Sequence, residues 1–406
     1  MPMRCASLVV LFALATLAQP SAQGRVALPT AGAPITIAAG GRQVRVSLVA
    51  GGLVGPWSMA FLPGASGDLL VTEMGGRLRV IRNGVLVPEP AWQMAPPVGR
   101  DVLHGVAVHP DFAQNGLVYV AHAKTGERGI TTALTRGRLD GDRLVDVKEI
   151  FVADAWEKAT FALGGGLKFG PDRRLYMSIG DRDSLVLSDD NSIRIRAQNL
   201  DTHLGKVLRL TDEGTAPPDN SFVGRKDARP EIFSYGHRTG FGMAFHPETR
   251  ELWFIDIGPM GGDRLDVLLP GRNYGWPLVS MGRNYTGNLV SDQPWYRPGI
   301  EMPRMFWVPV ISPSSLIFYT GERFPQWKGN IFIGTLSGQQ LQRVVIRPPG
   351  QGAGGQAEQR VPMLTELGVR YRDVQQGPDG AIYVATEVTY ASGKPDGTVM
   401  KIEPAP

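Results

Sequence analysis

The sequence predicts an all-β protein, specifically a six-bladed β-propeller. Three observations lead there. Turn formers are abundant, with 51 glycines and 32 prolines in 406 residues and no Gly-X-Y period. One strand–turn–strand unit recurs along the chain. No long amphipathic helix interrupts it, although "DAWEKATFAL" has the makings of one short helical turn. Turn formers at this density suit many short strands better than helices.

Taken in order, the first 22 residues, "MPMRCASLVVLFALATLAQPSA", read as a secretory leader. Arg4 precedes an apolar run that ends in small residues, and the run is too short to span a bilayer. Cys5 is the single cysteine and lies within that leader. The mature chain is therefore expected to be cysteine-free, periplasmic or secreted, and independent of disulfides. Residues 23–43 read as a flexible lead-in, and 44–406 as one propeller domain.

Six copies of the repeated unit follow: "MAFLPGASGDLLVTEMGGRLRVI" from Met59, "GVAVHPDFAQNGLVYVAHA" from Gly105, "GGLKFGPDRRLYMSIGD" from Gly165, "GMAFHPETRELWFIDIGP" from Gly242, "SLIFYTGERFPQWKGNIFIGTL" from Ser315 and "DVQQGPDGAIYVATE" from Asp373. Each has period-2 alternation around a tight turn, the pattern of a β-hairpin. A lone hairpin is marginal in water. Six similar ones point to blades around a channel, whereas a two-sheet sandwich leaves the repetition unexplained. The uneven spacing places long loops between blades, where binding sites concentrate.

The chain is 43% apolar and 20% charged, with a formal charge of +4. Basic and acidic residues are interspersed, which argues against nucleic-acid binding and leaves room for a basic pocket holding a small anion. There is no Gly-x-Ser-x-Gly elbow, no Cys/His zinc cluster, no Walker loop and no dinucleotide fingerprint.

Several stretches, "WSMAFLP", "HPDFAQNGLVYVAH", "LGKVLRLTDEGTAPPDNSF", "RPEIFSYGHR", "GPMGGDRLDVLLPGRNYGWP", "FPQWKGNIFIGTL" and "RYRDVQQGPDGAIYV", resemble in order those of the quinoprotein sugar dehydrogenases (the glucose/sorbosone and aldose sugar dehydrogenases), over about residues 54–402. The resemblance implies a six-bladed propeller holding pyrroloquinoline quinone (PQQ) and Ca2+ at one mouth of the channel. It also implies oxidation of a sugar or related alcohol or aldehyde, with electrons leaving to an external acceptor. PQQ is a planar ortho-quinone with three carboxylates, so arginine forks suit it. By this resemblance Arg238 is the cofactor-side arginine. Arg370 and Arg372 are the late pair that meets cofactor carboxylates, and as residues two apart on a strand they share a face. Gly258 and Pro259 match a backbone-carbonyl calcium site, with Asp263 retained beside it, and Tyr274 matches a second calcium position.

This chain also departs from the pattern. The family's histidine base aligns with Ala162, which cannot accept a proton. Its pocket glutamine becomes Arg100, an added cation counted with the cofactor-binding set. Its asparagine and glutamine become Thr239 and Phe241, its lysine Ser337 and its calcium-site glutamate Arg264, with Asp266 nearby. Among other bases, His104 and Asp101 lie on the approach to the mouth, and Glu157 and Asp183 lie on loops of the same side. Surface solvation is the plain alternative for the carboxylates. His109, His246 and His237 read as structural. Two other functions stay open: a propeller enzyme of another class, hydrolase- or lactonase-like, and a non-catalytic propeller that holds an anion on Arg100, Arg238, Arg370 and Arg372.

Overall fold

The computed structural model describes residues 24–406 except 65, 95–101, 294, 347–356 and 391–392. The leader, Arg100 and Asp101 lie outside the described residues. Six antiparallel sheets stand in a ring, and each repeat copy supplies the two innermost strands of one of them. The inner strands are Pro56–Phe61, Leu103–Val108, Gly164–Phe169, Gly240–Phe245, Pro313–Phe318 and Arg370–Gln376. Each inner strand packs beside the next, and the last packs beside the first, which closes the ring.

Five of the six second strands, such as Leu175–Ile179 and Leu252–Asp256, are buried at every position, and the sixth, Leu117–Gly126, is buried through its middle. They therefore read as continuous apolar runs rather than as the expected alternation. The cause is packing: both faces of each sheet are covered by neighbouring blades. Six apolar clusters sit between successive blades. One joins Met177 and Leu208 to Tyr119 and Leu134, and another joins Phe332 and Ile317 to Tyr371 and Val384.

Near the axis the inner strands approach so closely that only glycine fits. A Cβ on Gly166 would lie 1.8 Å from the Phe241 carbonyl oxygen, and one on Gly242 would lie 2.7 Å from the Ser315 Cα. These are the glycines that mark the repeat. The ring is locked by the final blade, in which the C-terminal strand Gly397–Pro404 pairs with Arg42–Leu53. Residues 35–39, expected as lead-in, form a strand on the outer edge of this blade. The "DAWEKATFAL" stretch makes no helix. Five of its backbone oxygens, those of Asp154, Glu157, Ala159, Phe161 and Leu163, accept hydrogen bonds instead.

Candidate functional site

The inner strands all enter the ring from one end, and the second strands leave there. That shared end brings together residues far apart in sequence. Below it, along the axis, lies a cavity of about 390 Å3 lined by Trp57, Lys168, Phe241, Ser314, Arg372 and Asp373 among others. Its size falls in the range of small-molecule sites.

Arg370 and Arg372 enter on the last inner strand. They do converge on one anion, and that anion is the protein's own Glu387. Arg370 Nε lies 3.0 Å and Arg372 Nη2 2.7 Å from Glu387 Oε1. Glu387 is 1% exposed, closes the partner strand, and stands opposite Arg370 in register. The Tyr390 ring lies 4.9 Å from the Arg370 guanidinium and 5.3 Å from that of Arg372. Burial lowers the pKa of Arg370, and the neighbouring Arg372 adds to the effect. Two guanidinium groups thus face this one carboxylate, an excess of one positive charge in the cluster among the described residues.

Arg238 sits at the entrance of another inner strand. Its Nη1 donates to the carbonyls of Ile257 at 3.0 Å and Gly258 at 3.2 Å, and its guanidinium lies over the Trp276 ring. The Trp276 indole donates to Asp181 Oδ2 at 2.8 Å. Asp181 is 1% exposed, and burial raises its pKa to about 6 against the opposing pull of Arg238. The backbone amides of Arg238 and Thr239 are held by Asp256, whose carboxyl burial likewise raises to about 6. The Thr239 hydroxyl is buried and has no hydrogen-bond partner among the described residues.

Ala162 has φ +55°, an uncommon conformation for a residue with a side chain. Its carbonyl presses on Gly180, where a Cβ would come within 1.9 Å, and so abuts the strand end that carries Asp181. Arg182 clamps this loop. It is fully buried and donates to the carbonyls of Ile130, Ala159 and Phe161. His104 is 2% exposed, with its ring 5.3 Å from Trp57 and against Gly165. Glu157 pairs with Arg196, and Asp183 is sealed against Arg194 at 2.6 Å, so neither is a loose loop carboxylate. His109 and His246 accept turn amides, and His237 bonds Ser234 and stacks on Tyr274.

Calcium does not suit the four residues expected to hold it. The Gly258 carbonyl faces the Arg238 guanidinium. Asp263 spends both oxygens on the amides of Gly258, Ile311 and Ser312. Tyr274 is 1% exposed, and its hydroxyl bridges Val267 and Leu269. The Tyr274 carbonyl accepts from Arg264. Pro259 lies next to Gly258 on the same loop. Among the described residues no group of three or more His, Cys, Asp or Glu side chains is placed to hold a metal ion.

Glu387, Asp181 and Arg182 were not singled out in the sequence. A signal existed for the first: "LLVTE" and "YVATE" both end a second strand in Thr-Glu, and Glu73 likewise meets two arginines, Arg77 and Arg79. Ser337, at the lysine position, bonds the Ser312 hydroxyl. Phe241 packs edge-on to Trp57.

The class these features define is a closed β-propeller with a cationic, aromatic-walled mouth. Residues 53–396 match the family model for Glucose / Sorbosone dehydrogenase, and the chain belongs to that family. It is 34% identical to the aldose sugar dehydrogenase YliI of Escherichia coli over 89% of this chain and 93% of that one. It is 26% identical to quinoprotein glucose dehydrogenase B of Acinetobacter calcoaceticus over 74% and 76%. A crystal structure of a glucose dehydrogenase superposes with TM-score 0.75 at 36% identity, covering 88% of this chain and 98% of that one.

Proposed function

We propose that this chain is a PQQ-dependent dehydrogenase that oxidises a sugar or a related alcohol or aldehyde at the propeller mouth. The observation that carries the reading is the excess positive charge of Arg370 and Arg372 over Glu387, close to the axis cavity that Arg372 lines. The residues fit an anionic planar group. The arginine pair offers guanidinium donors to carboxylates, and the orphaned Thr239 hydroxyl offers one more hydrogen bond. Arg238 lies at the same end of the ring, and Trp57, Phe241 and Tyr390 supply ring faces and edges. PQQ, when bound, supplies the hydride acceptor.

The chain must still take up the substrate's hydroxyl proton without a histidine at position 162. We assign that proton-holding part to Asp181, the buried carboxylate that accepts the Trp276 indole N–H beside Arg238, so substrate must reach it past that ring. Its carboxyl, near pKa 6, is ionised at neutral pH and still basic enough to be protonated transiently. His104, beside Trp57, is then a wall of the mouth rather than the base. No step is routed through calcium, because its expected ligands are already engaged. The leader-like residues 1–22 support a location outside the cytoplasm, and the reading includes an external electron acceptor. Among the described residues no helix is long and apolar enough to cross a membrane.

A second reading, a non-catalytic anion-binding propeller, is favoured by Ala162 alone. Adding PQQ to purified protein and measuring dye reduction with aldoses and simple alcohols separates the two. Turnover supports the dehydrogenase. Saturable PQQ binding without turnover on any substrate supports the second reading, and PQQ-free hydrolysis of lactones contradicts both.

A further inference from the structure

The place where the resemblance puts a second metal is occupied by part of the chain. Arg264, on strand Asp263–Leu268, is 6% exposed, and its side chain turns inward. Nη1 donates to the Tyr274 carbonyl, and Nη2 donates to Asp266 Oδ1 at 2.8 Å and to the Glu301 carbonyl at 3.1 Å. Two main-chain carbonyls and a carboxylate are hard oxygen donors, the kind that gather around a dication. Here the positive charge at their centre is a guanidinium. A metal close enough to bond those oxygens would meet the guanidinium nitrogens and their charge.

We infer that Arg264 is a built-in cation that replaces a metal and fastens the long loop between residues 269 and 304 to its blade. The three acceptors belong to three segments: the strand itself, the turn at Tyr274 and the return at Glu301. Arg304, on that return, anchors it further by donating its amide to the Leu265 carbonyl. The fork geometry matters. A lysine ammonium at 264 is a point charge on a flexible stem and cannot reproduce the planar, multi-donor arrangement. The inference concerns folding of this loop and holds whether or not the chain binds a quinone.

The test compares thermal melting in EGTA and in millimolar calcium, and measures calcium bound per chain by equilibrium dialysis. Wild type is expected to melt at the same temperature in both conditions. Arg264→Glu is expected to melt lower in EGTA, to recover in calcium, and to bind one calcium per chain more than wild type. Arg264→Lys should melt lower than wild type and stay indifferent to calcium. A wild-type melting temperature that falls in EGTA and returns with calcium overturns the inference. So does a folded Arg264→Glu protein that takes up no additional calcium. The wild-type arm decides the question even if Arg264→Glu fails to fold.

Discussion

Glu387 Oε1 accepts from Arg370 and Arg372 together, so one buried carboxylate fixes two guanidinium groups and leaves them a net charge of one. A charge-assisted hydrogen bond contributes about 1.5–3 kcal/mol, so Arg372→Ala should weaken PQQ binding by roughly 10- to 100-fold, measurable by fluorescence titration. Glu387→Ala is expected to lower unfolding stability by about 3–5 kcal/mol in urea, because two buried cations lose their counter-ion. In the proposed function Asp181 governs the pH behaviour. Activity should fall as pH drops through about 6, where its carboxyl takes a proton, and the acid limb of the rate profile should vanish in Asp181→Asn. Its effect on folding has the opposite direction. A carboxyl whose folded pKa is raised stabilises the fold most below pH 3.8, and that contribution is lost as pH rises from 3.8 to about 6. The convergence of Arg370 and Arg372 was legible in "RYRD", because residues two apart on a strand share a face. Glu387 and Asp181 were not, because what defines them is burial and a partner about 15 to 95 residues away.

The repeated hairpin was the readable element, because six similar apolar pairs recur and Pro-Asp or Pro-Gly turns punctuate four of them. The outer strands were less so. Arg143–Val152 is mostly exposed or half-buried and carries mixed polar residues, with little to distinguish it from loop. The strand at 35–39 was read as lead-in for a related reason. It pairs with the adjacent Arg42–Leu53, but the rest of the blade that both strands join lies at the far end of the sequence. Glycine positions are the strictest local requirement. At Gly166 a methyl group would meet the Phe241 carbonyl of the next blade, so Gly166→Ala should cost about 1–3 kcal/mol and narrow the channel, as urea unfolding would reveal.

Closure of the ring is a property of the whole chain, since strand Arg42–Leu53 seals a blade built from the last 37 residues, 370–406. Removing residues 24–53 would expose the open edge of that sheet. The truncated protein is expected to aggregate on heating rather than unfold cooperatively, as light scattering during a melt would show. Closure also places Arg238 and the Arg370/Arg372 pair, more than 130 residues apart in sequence, at one end of one channel. That gathered charge is proposed to serve an anionic quinone. The most direct measurement is titration of PQQ into the purified chain, followed by cofactor absorbance and heat. One PQQ bound per chain, with affinity that falls for Arg238→Ala, Arg370→Ala and Arg372→Ala, is the expected result. An absence of uptake, or uptake indifferent to all three substitutions, would contradict it.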